Sequence, residues 1–81
     1  MNLDDVNFLR DLGFNIRERR TARGLTQEQL GEQCGLHRTF IGSVERGERN
    51  LSILNLRLIA RVLRVPLPDL FEEPAGPGRP A

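Results

Sequence analysis

The fold of this chain is decided by residues 26–45, which read Thr-Gln-Glu-Gln-Leu-Gly-Glu-Gln-Cys-Gly-Leu-His-Arg-Thr-Phe-Ile-Gly-Ser-Val-Glu. Thr26 and Gln29 have the spacing of a capping box, in which each side chain binds a backbone N–H at the start of a helix. We therefore predict a helix from Thr26 to about Cys34. Gly35 ends this helix, because glycine can adopt the left-handed conformation that a sharp corner needs.

The second half of the same stretch predicts another helix, over residues 37–46. Two helices joined by a short turn that contains a glycine have the spacing of a helix-turn-helix. Gly31 is the expected point of closest approach between them, since a larger side chain there would push them apart. The residues expected to point inward from this motif are Leu30, Cys34, Leu36, Ile41 and Val44.

Outside the motif, apolar residues at helical spacing predict three more helices. The first covers residues 3–23, the fourth follows the capping residue Ser52 and stops before Pro66, and a short final helix runs from Pro68 through Phe71. Strict alternation of apolar and polar residues is absent from the sequence. The predicted fold class is therefore all-α, with five helices. The core positions expected in these helices are Leu9, Leu12, Ile16, Ile53, Leu56, Ile59, Ala60 and Leu63.

The length of 81 residues corresponds to one small domain, and 38% apolar with 28% charged residues is an ordinary globular mixture. We place this domain at residues 1–71. In residues 72–81 half of the positions are proline or glycine and no periodicity is present, so we predict a disordered tail.

The composition also argues against several classes of function. One cysteine and one histidine give neither an internal disulfide nor a zinc site, and they leave few candidates for catalysis. We therefore predict a binding module with no enzymatic activity, no cofactor and no metal. No run approaches 18 consecutive apolar residues, so no membrane span is expected. Asp4 and Asp5 stand where a secretion signal would carry basic residues, which favours a cytoplasmic protein.

Charge alone does not identify a partner. The formal net charge is +1, and all twelve basic residues are arginine. Residues 15–49 hold seven arginines against five glutamates, which is a modest basic excess. An inference of nucleic-acid binding must therefore rest on the motif.

Three segments carry a resemblance to a known family. Residues 24–30 (Gly-Leu-Thr-Gln-Glu-Gln-Leu), 35–41 (Gly-Leu-His-Arg-Thr-Phe-Ile) and 44–50 (Val-Glu-Arg-Gly-Glu-Arg-Asn) resemble the Cro/repressor helix-turn-helix family. The run over residues 37–50, followed by Leu-Ser-Ile, is similar to the controller proteins of restriction–modification systems. The resemblance covers residues 10–71 and implies a compact, lambda-repressor-like DNA-binding domain.

The start of the third helix is the predicted DNA-reading surface. It presents His37, Arg38 and Thr39 outward, with Ser43 one turn later on the same face. Arginine can pair with two acceptors of guanine in the major groove, and threonine can bond a base or touch a thymine methyl group. The resemblance implies base reading for Arg38, Thr39 and Ser43. For His37 a role at the start of the helix is favoured over base reading, and both remain open.

A second set of residues is predicted to hold the DNA backbone. Gln27 opens the second helix, where backbone N–H groups and a side-chain amide suit a phosphate, and the resemblance implies that role. Arg46 and Arg49 flank the following loop and are candidate phosphate contacts, or else solvated charges. The resemblance also implies an ion pair between Arg20 of the first helix and Glu45 of the third.

Two positions depart from the controller pattern. Phe40 stands where many controller relatives carry tyrosine, which removes a hydroxyl that could contact the backbone or a base. Gly42 stands where some have serine, and glycine lowers local helix propensity by about 1 kcal/mol relative to alanine. Both departures bear on which DNA sequence is read.

A single reading helix makes few base contacts, so we expect a symmetric homodimer on a palindromic double-stranded DNA operator. Its half-sites would lie one helical turn apart, ~34 Å. Residues 51–71 hold more leucine and isoleucine than one thin core requires, and the surplus should build the interface. The predicted interface residues are Leu54, Leu58, Leu67, Leu70 and Phe71.

The resemblance implies a regulator that binds upstream of its own gene and of an endonuclease gene, and so delays the nuclease until methylation is complete. Activation would need a surface that touches RNA polymerase, for which Glu28 and Glu32 are candidates. A phage-type or stand-alone repressor is the alternative within this class. A protein-interaction module, such as an antitoxin, is the alternative from another class.

Overall fold

The computed structural model describes residues 1–73, and all of the regular secondary structure in this part of the chain is helical. The elements in chain order are α1 (Leu3–Ala22), α2 (Gln27–Cys34), α3 (Arg38–Glu45), α4 (Ile53–Leu63) and a 3-10 helix (Leu67–Phe71). The all-α prediction is confirmed for the described residues. The fifth predicted helix is a tighter 3-10 helix, and Pro68 lies in its first turn. The predicted tail lies outside the described residues, apart from Glu72 and Glu73.

The predicted capping residues begin the helices. Thr26 Oγ1 accepts from the Gln29 backbone N–H at 3.0 Å, and Gln29 Oε1 accepts from the Thr26 N–H at 2.9 Å, which completes the capping box. Ser52 accepts from the N–H of Asn55 at the start of α4 in the same way. Gly35 has φ +70°, as the corner between α2 and α3 requires. Local chemistry thus accounts for both ends of α2 and for the start of α4.

Every element contributes apolar side chains to one core. The most deeply buried residues have at most 2% of their surface exposed, and they come from all four α-helices and from the 3-10 helix. The buried face of α3, the second helix of the motif, packs against this core. The six largest of these side chains are Ile16, Leu30, Ile41, Ile59, Leu63 and Leu70.

Two glycines allow the close approaches that position α3. A Cβ at Gly13, in the middle of α1, would meet the backbone oxygens of Val44 and Glu45 at the end of α3. Helix propensity alone marks Gly13 as a weak position, but the packing of α1 against α3 requires it. A Cβ at Gly31 would meet the backbone oxygen of Leu36 in the turn, so the predicted close approach is present. At both glycines the absence of a side chain lets two backbone segments pack directly against each other.

Cys34 is a core residue, as predicted, with 7% of its surface exposed. Burial raises the pKa of its thiol, so the thiol stays protonated at neutral pH. Among residues 1–73, no helix is long and apolar enough to cross a membrane.

Candidate nucleic-acid interface

The turn between α2 and α3 presents the start of α3 to solvent. Arg38 and Thr39 form the first turn of α3 and are both exposed. His37 is the N-cap, and its Nδ1 accepts a hydrogen bond from the Thr39 backbone N–H at 3.0 Å. The imidazole thus binds one of the free backbone N–H groups at the start of α3. This geometry favours the helix-start interpretation of His37.

Arg38 is held by an acidic residue of the preceding helix. Its Nη1 lies 3.1 Å from Glu28 Oε2, and the two side chains are 65% and 58% exposed. An exposed ion pair of this kind contributes at most about 1 kcal/mol, so a base edge can replace the carboxylate. The pair keeps the guanidinium beside the reading face without locking it there.

The prediction that Ser43 faces outward is wrong. Ser43 is 7% exposed, and its hydroxyl donates to the backbone oxygen of Phe40 at 2.8 Å. The same hydroxyl oxygen accepts from Arg49 Nε at 3.2 Å. The helical repeat brings Ser43 one turn beyond the exposed Thr39, but the loop after α3 folds back and covers it. We therefore do not retain Ser43 as a base-reading residue.

Behind the reading face, α3 is tied to α1 by a buried ion pair. Arg20 Nε lies 2.7 Å from Glu45 Oε2, and Arg20 Nη2 lies 3.1 Å from Glu45 Oε1. Arg20 Nη1 also donates to the backbone oxygen of Leu25 at 2.7 Å. The ion pair implied by the resemblance is thus present as a two-point contact, which fixes orientation as well as distance.

The side chain of Gln27 makes a contact within the protein that the sequence does not suggest. It opens α2, as predicted, but it is half-buried and its Nε2 donates to Glu45 Oε1 at 3.0 Å. The side chain therefore joins the buried ion pair and links α2 to α3. One amide hydrogen is used in this bond, and the backbone N–H groups of the first turn of α2 remain at the positive end of the helix dipole. Spacing could not reveal this link, because Gln27 and Glu45 lie on different helices.

The two arginines of the loop after α3 are held in different ways. Arg46 Nε pairs with Glu48 Oε2 at 3.1 Å, and both side chains are more than half exposed. Arg49 lies over the ring of Phe40, with its Cζ 5.6 Å from the ring centroid. Both arginines are exposed on the same loop, as the sequence predicts, but the contact with Phe40 is a feature that sequence reasoning missed.

A second surface is apolar. Leu54 is 70% exposed and Phe71 is 41% exposed, but Leu70 is fully buried and cannot meet a partner, so its prediction as an interface residue is wrong. Ile53 is 62% exposed, so its prediction as a core position is wrong, and Phe8, on the apolar stripe of α1, is 51% exposed. Both side chains line a shallow groove together with Phe71. The rings of Phe8 and Phe71 are stacked at 5.9 Å between centroids. We call Phe8, Ile53, Leu54 and Phe71 the apolar patch. Leu58 and Leu67, also predicted at the interface, are half-buried against the core.

The geometry of the α2–α3 pair agrees with a comparison against known protein families. A family model described as helix-turn-helix matches residues 16–70. This chain belongs to the helix-turn-helix family. The matched region begins inside α1 and ends in the 3-10 helix, so it includes the motif and the elements that support it.

The relatives of this helix-turn-helix protein include several control proteins. It is 49% identical to control protein C.SmaI of Serratia marcescens over 60 residues, which are 74% of this chain and 71% of that protein. It is 39% identical to control protein C.BamHI of Bacillus amyloliquefaciens over 61 residues, which are 74% of this chain and 75% of that protein. The crystal structure of the restriction-modification controller protein C.AhdI from Aeromonas hydrophila superposes with a TM-score of 0.76 at 44% identity, covering 78% of this chain and 96% of that one. The chain is therefore a DNA-binding transcription regulator that is similar to restriction–modification control proteins.

Proposed function

We propose that this protein is a restriction–modification controller that binds DNA upstream of its own gene and times the expression of an endonuclease. One observation carries the proposal: an arginine and a threonine stand exposed on the first turn of α3, in a chain similar over about three quarters of its length to control proteins. A controller needs such a reading face, because its targets are specific sequences rather than DNA in general.

In this proposal α3 lies in the major groove. Arg38 leaves Glu28 and pairs with guanine, and Thr39 bonds the neighbouring base or touches a thymine methyl group. Gln27, at the start of α2, and the loop arginines Arg46 and Arg49 bind phosphates on either side of the groove. The buried link from Arg20 to Glu45 supports the arrangement, since it holds α3 in one orientation relative to α1.

The proposed active form is a homodimer. The apolar patch exposes the stacked rings of Phe8 and Phe71 beside Ile53, and the exposed Leu54 follows Ile53 on α4. Aromatic and aliphatic side chains of this kind form the core of many interfaces. A second copy would cover this patch and place the two α3 helices on half-sites ~34 Å apart along a palindromic operator. We further propose that the protein acts in the cytoplasm, at the nucleoid, and that Glu28 and Glu32 of α2 contact RNA polymerase when it activates transcription.

The experiment is fluorescence anisotropy of the full chain on the DNA upstream of its own gene and on a scrambled duplex of the same length, at several salt concentrations. The proposal predicts tight, cooperative binding to the upstream fragment, weaker binding to the scrambled duplex and a steep salt dependence on both. Equal weak binding to both would contradict autoregulation. Binding to neither at low salt would favour a protein-interaction module, for which the apolar patch supplies the surface.

A further inference from the structure

The three arginines proposed to reach DNA are each held by a neighbouring group, but these groups differ in charge. Arg38 Nη1 lies 3.1 Å from Glu28 Oε2. Arg46 Nε lies at the same distance, 3.1 Å, from Glu48 Oε2. Both pairs join an arginine to a carboxylate, whereas Arg49 is held by an aromatic ring and a hydroxyl group.

The contacts of Arg49 fold the loop back onto α3. Its Cζ lies 5.6 Å from the centroid of the Phe40 ring, and its Nε donates to Ser43 Oγ at 3.2 Å. The Ser43 hydroxyl donates in turn to the Phe40 backbone oxygen at 2.8 Å, so the direction of its hydrogen is fixed and the oxygen can accept. Two points one helical turn apart on α3 therefore orient the guanidinium.

The chemistry of these contacts suits an encounter with a polyanion. Neither the ring nor the hydroxyl carries a negative charge, so no carboxylate in these two contacts opposes the approach of a phosphate. A guanidinium has five N–H donors, and the bond to Ser43 uses one of them. Phe40 is half-buried against the core, which makes its ring a fixed surface rather than a mobile one.

We infer that Phe40 is a positioning residue for DNA binding, whose ring holds the Arg49 guanidinium on α3 where it meets a DNA phosphate. This inference rests on the proposed DNA binding by α3 and adds a role for a side chain that need not touch DNA itself. Phenylalanine lacks the hydroxyl group that a tyrosine would carry at this position. The proposed role does not need that hydroxyl, because Arg49 contacts the ring.

The test is a double-mutant cycle in the full chain, with wild type, Phe40→Leu, Arg49→Ala and the double variant measured by anisotropy on the upstream fragment and on a scrambled duplex. We expect Phe40→Leu to weaken binding to both duplexes by about two- to fivefold. It should cause no further loss once Arg49 is alanine. Arg49→Ala should lower the slope of log affinity against log salt concentration by about 1, as for the loss of one phosphate contact.

Three variants separate positioning from a structural effect. Phe40→Tyr keeps the ring and should bind like wild type, whereas Phe40→Met fills the volume without a ring and should bind like Phe40→Leu. Phe14→Leu makes the same chemical change on α1 and should leave DNA affinity unchanged. Thermal unfolding of each variant, followed by circular dichroism, reports whether the fold is intact.

Two results would overturn the inference: unchanged affinity in Phe40→Leu and Phe40→Met, or an equal loss from Phe40→Leu with and without Arg49. Phosphate contacts do not depend on the DNA sequence, so the double-mutant cycle can also be measured on the scrambled duplex. Equal binding of wild type to both duplexes would therefore refute the proposed operator and still test the positioning. Binding to neither duplex would refute both.

Discussion

Arg20 Nε lies 2.7 Å from Glu45 Oε2, and this ion pair, with side chains only 11% and 2% exposed, fastens α3 to α1. The pair lies behind the DNA-reading face rather than on it. We predict that Glu45→Ala lowers the free energy of unfolding by about 3–5 kcal/mol, because it leaves the Arg20 guanidinium buried without its partner. Urea unfolding measures the change. Glu48→Ala is the control, since it breaks the exposed pair with Arg46 and should cost less than about 1 kcal/mol. Equal losses in the two variants would contradict the role of burial.

Two of the helical glycines, Gly13 in α1 and Gly42 in α3, should respond oppositely to alanine. A Cβ at Gly13 would lie 2.6 Å from the backbone oxygen of Glu45, which cannot move without shifting α3. Gly13→Ala should therefore lower the free energy of unfolding by about 1–3 kcal/mol. A Cβ at Gly42 would meet only side-chain ends, at 3.2 Å, and these can give way. Gly42→Ala should therefore raise the free energy of unfolding by up to about 1 kcal/mol through helix propensity. Thermal unfolding of both variants decides the point, and a loss in Gly42→Ala as large as in Gly13→Ala would contradict it.

Arg64 ends α4 in the left-handed conformation, with φ 60°, a region that glycine adopts without steric cost. We predict that Arg64→Gly raises the free energy of unfolding by about 0.5–1 kcal/mol. Arg61→Gly makes the same change inside α4 and should lower it by about 1 kcal/mol. Thermal unfolding measures both. Destabilisation by Arg64→Gly would mean that the arginine side chain contributes more than its backbone strain costs.

The sequence was sufficient for features that depend on near neighbours. Thr26, Gln29 and Gly35 define the start and end of α2 by chemistry that acts within one helical turn, and the structure contains each predicted contact. The apolar spacing of the helices likewise predicts most of the side chains that enter the core, with Ile53 at the start of α4 as an exception that is 62% exposed. These local signals explain why the fold class and the motif could be predicted together.

The sequence was insufficient where an irregular segment determines whether a side chain is buried or exposed. Ser43 has the spacing of an exposed residue, but the loop that carries Arg49 covers it. Leu70 was predicted at an interface because the C-terminal region has surplus leucine, but the 3-10 helix turns this residue into the core. Phe8 lies next to Phe71 only because the two ends of the domain meet. Helical periodicity carries no information about such long-range contacts.

Because the apolar patch is exposed, we predict that the protein forms a dimer in solution. A single charged substitution within the patch should disrupt this dimer. Leu54 is 70% exposed, so Leu54→Glu should leave the monomer folded but bury a charge at the proposed interface. We expect analytical ultracentrifugation at micromolar concentration to show a dimer for wild type and a monomer for the variant. Leu3→Glu is the control, because Leu3 is 71% exposed and lies outside the patch. A wild-type monomer, or a dimer unaffected by Leu54→Glu, would contradict this interface.

The central claim is that α3 reads a specific DNA sequence through Arg38. The most direct measurement is the affinity of Arg38→Ala for the DNA upstream of its own gene and for a scrambled duplex, under identical salt. Loss of a bidentate base contact should cost about 1–3 kcal/mol on the upstream DNA and much less on the scrambled duplex. Arg64→Asn, which removes a positive charge from α4 and keeps a residue that tolerates the left-handed conformation, should weaken both slightly and equally. An equal loss on both duplexes for Arg38→Ala, or no loss on either, would contradict base reading by α3.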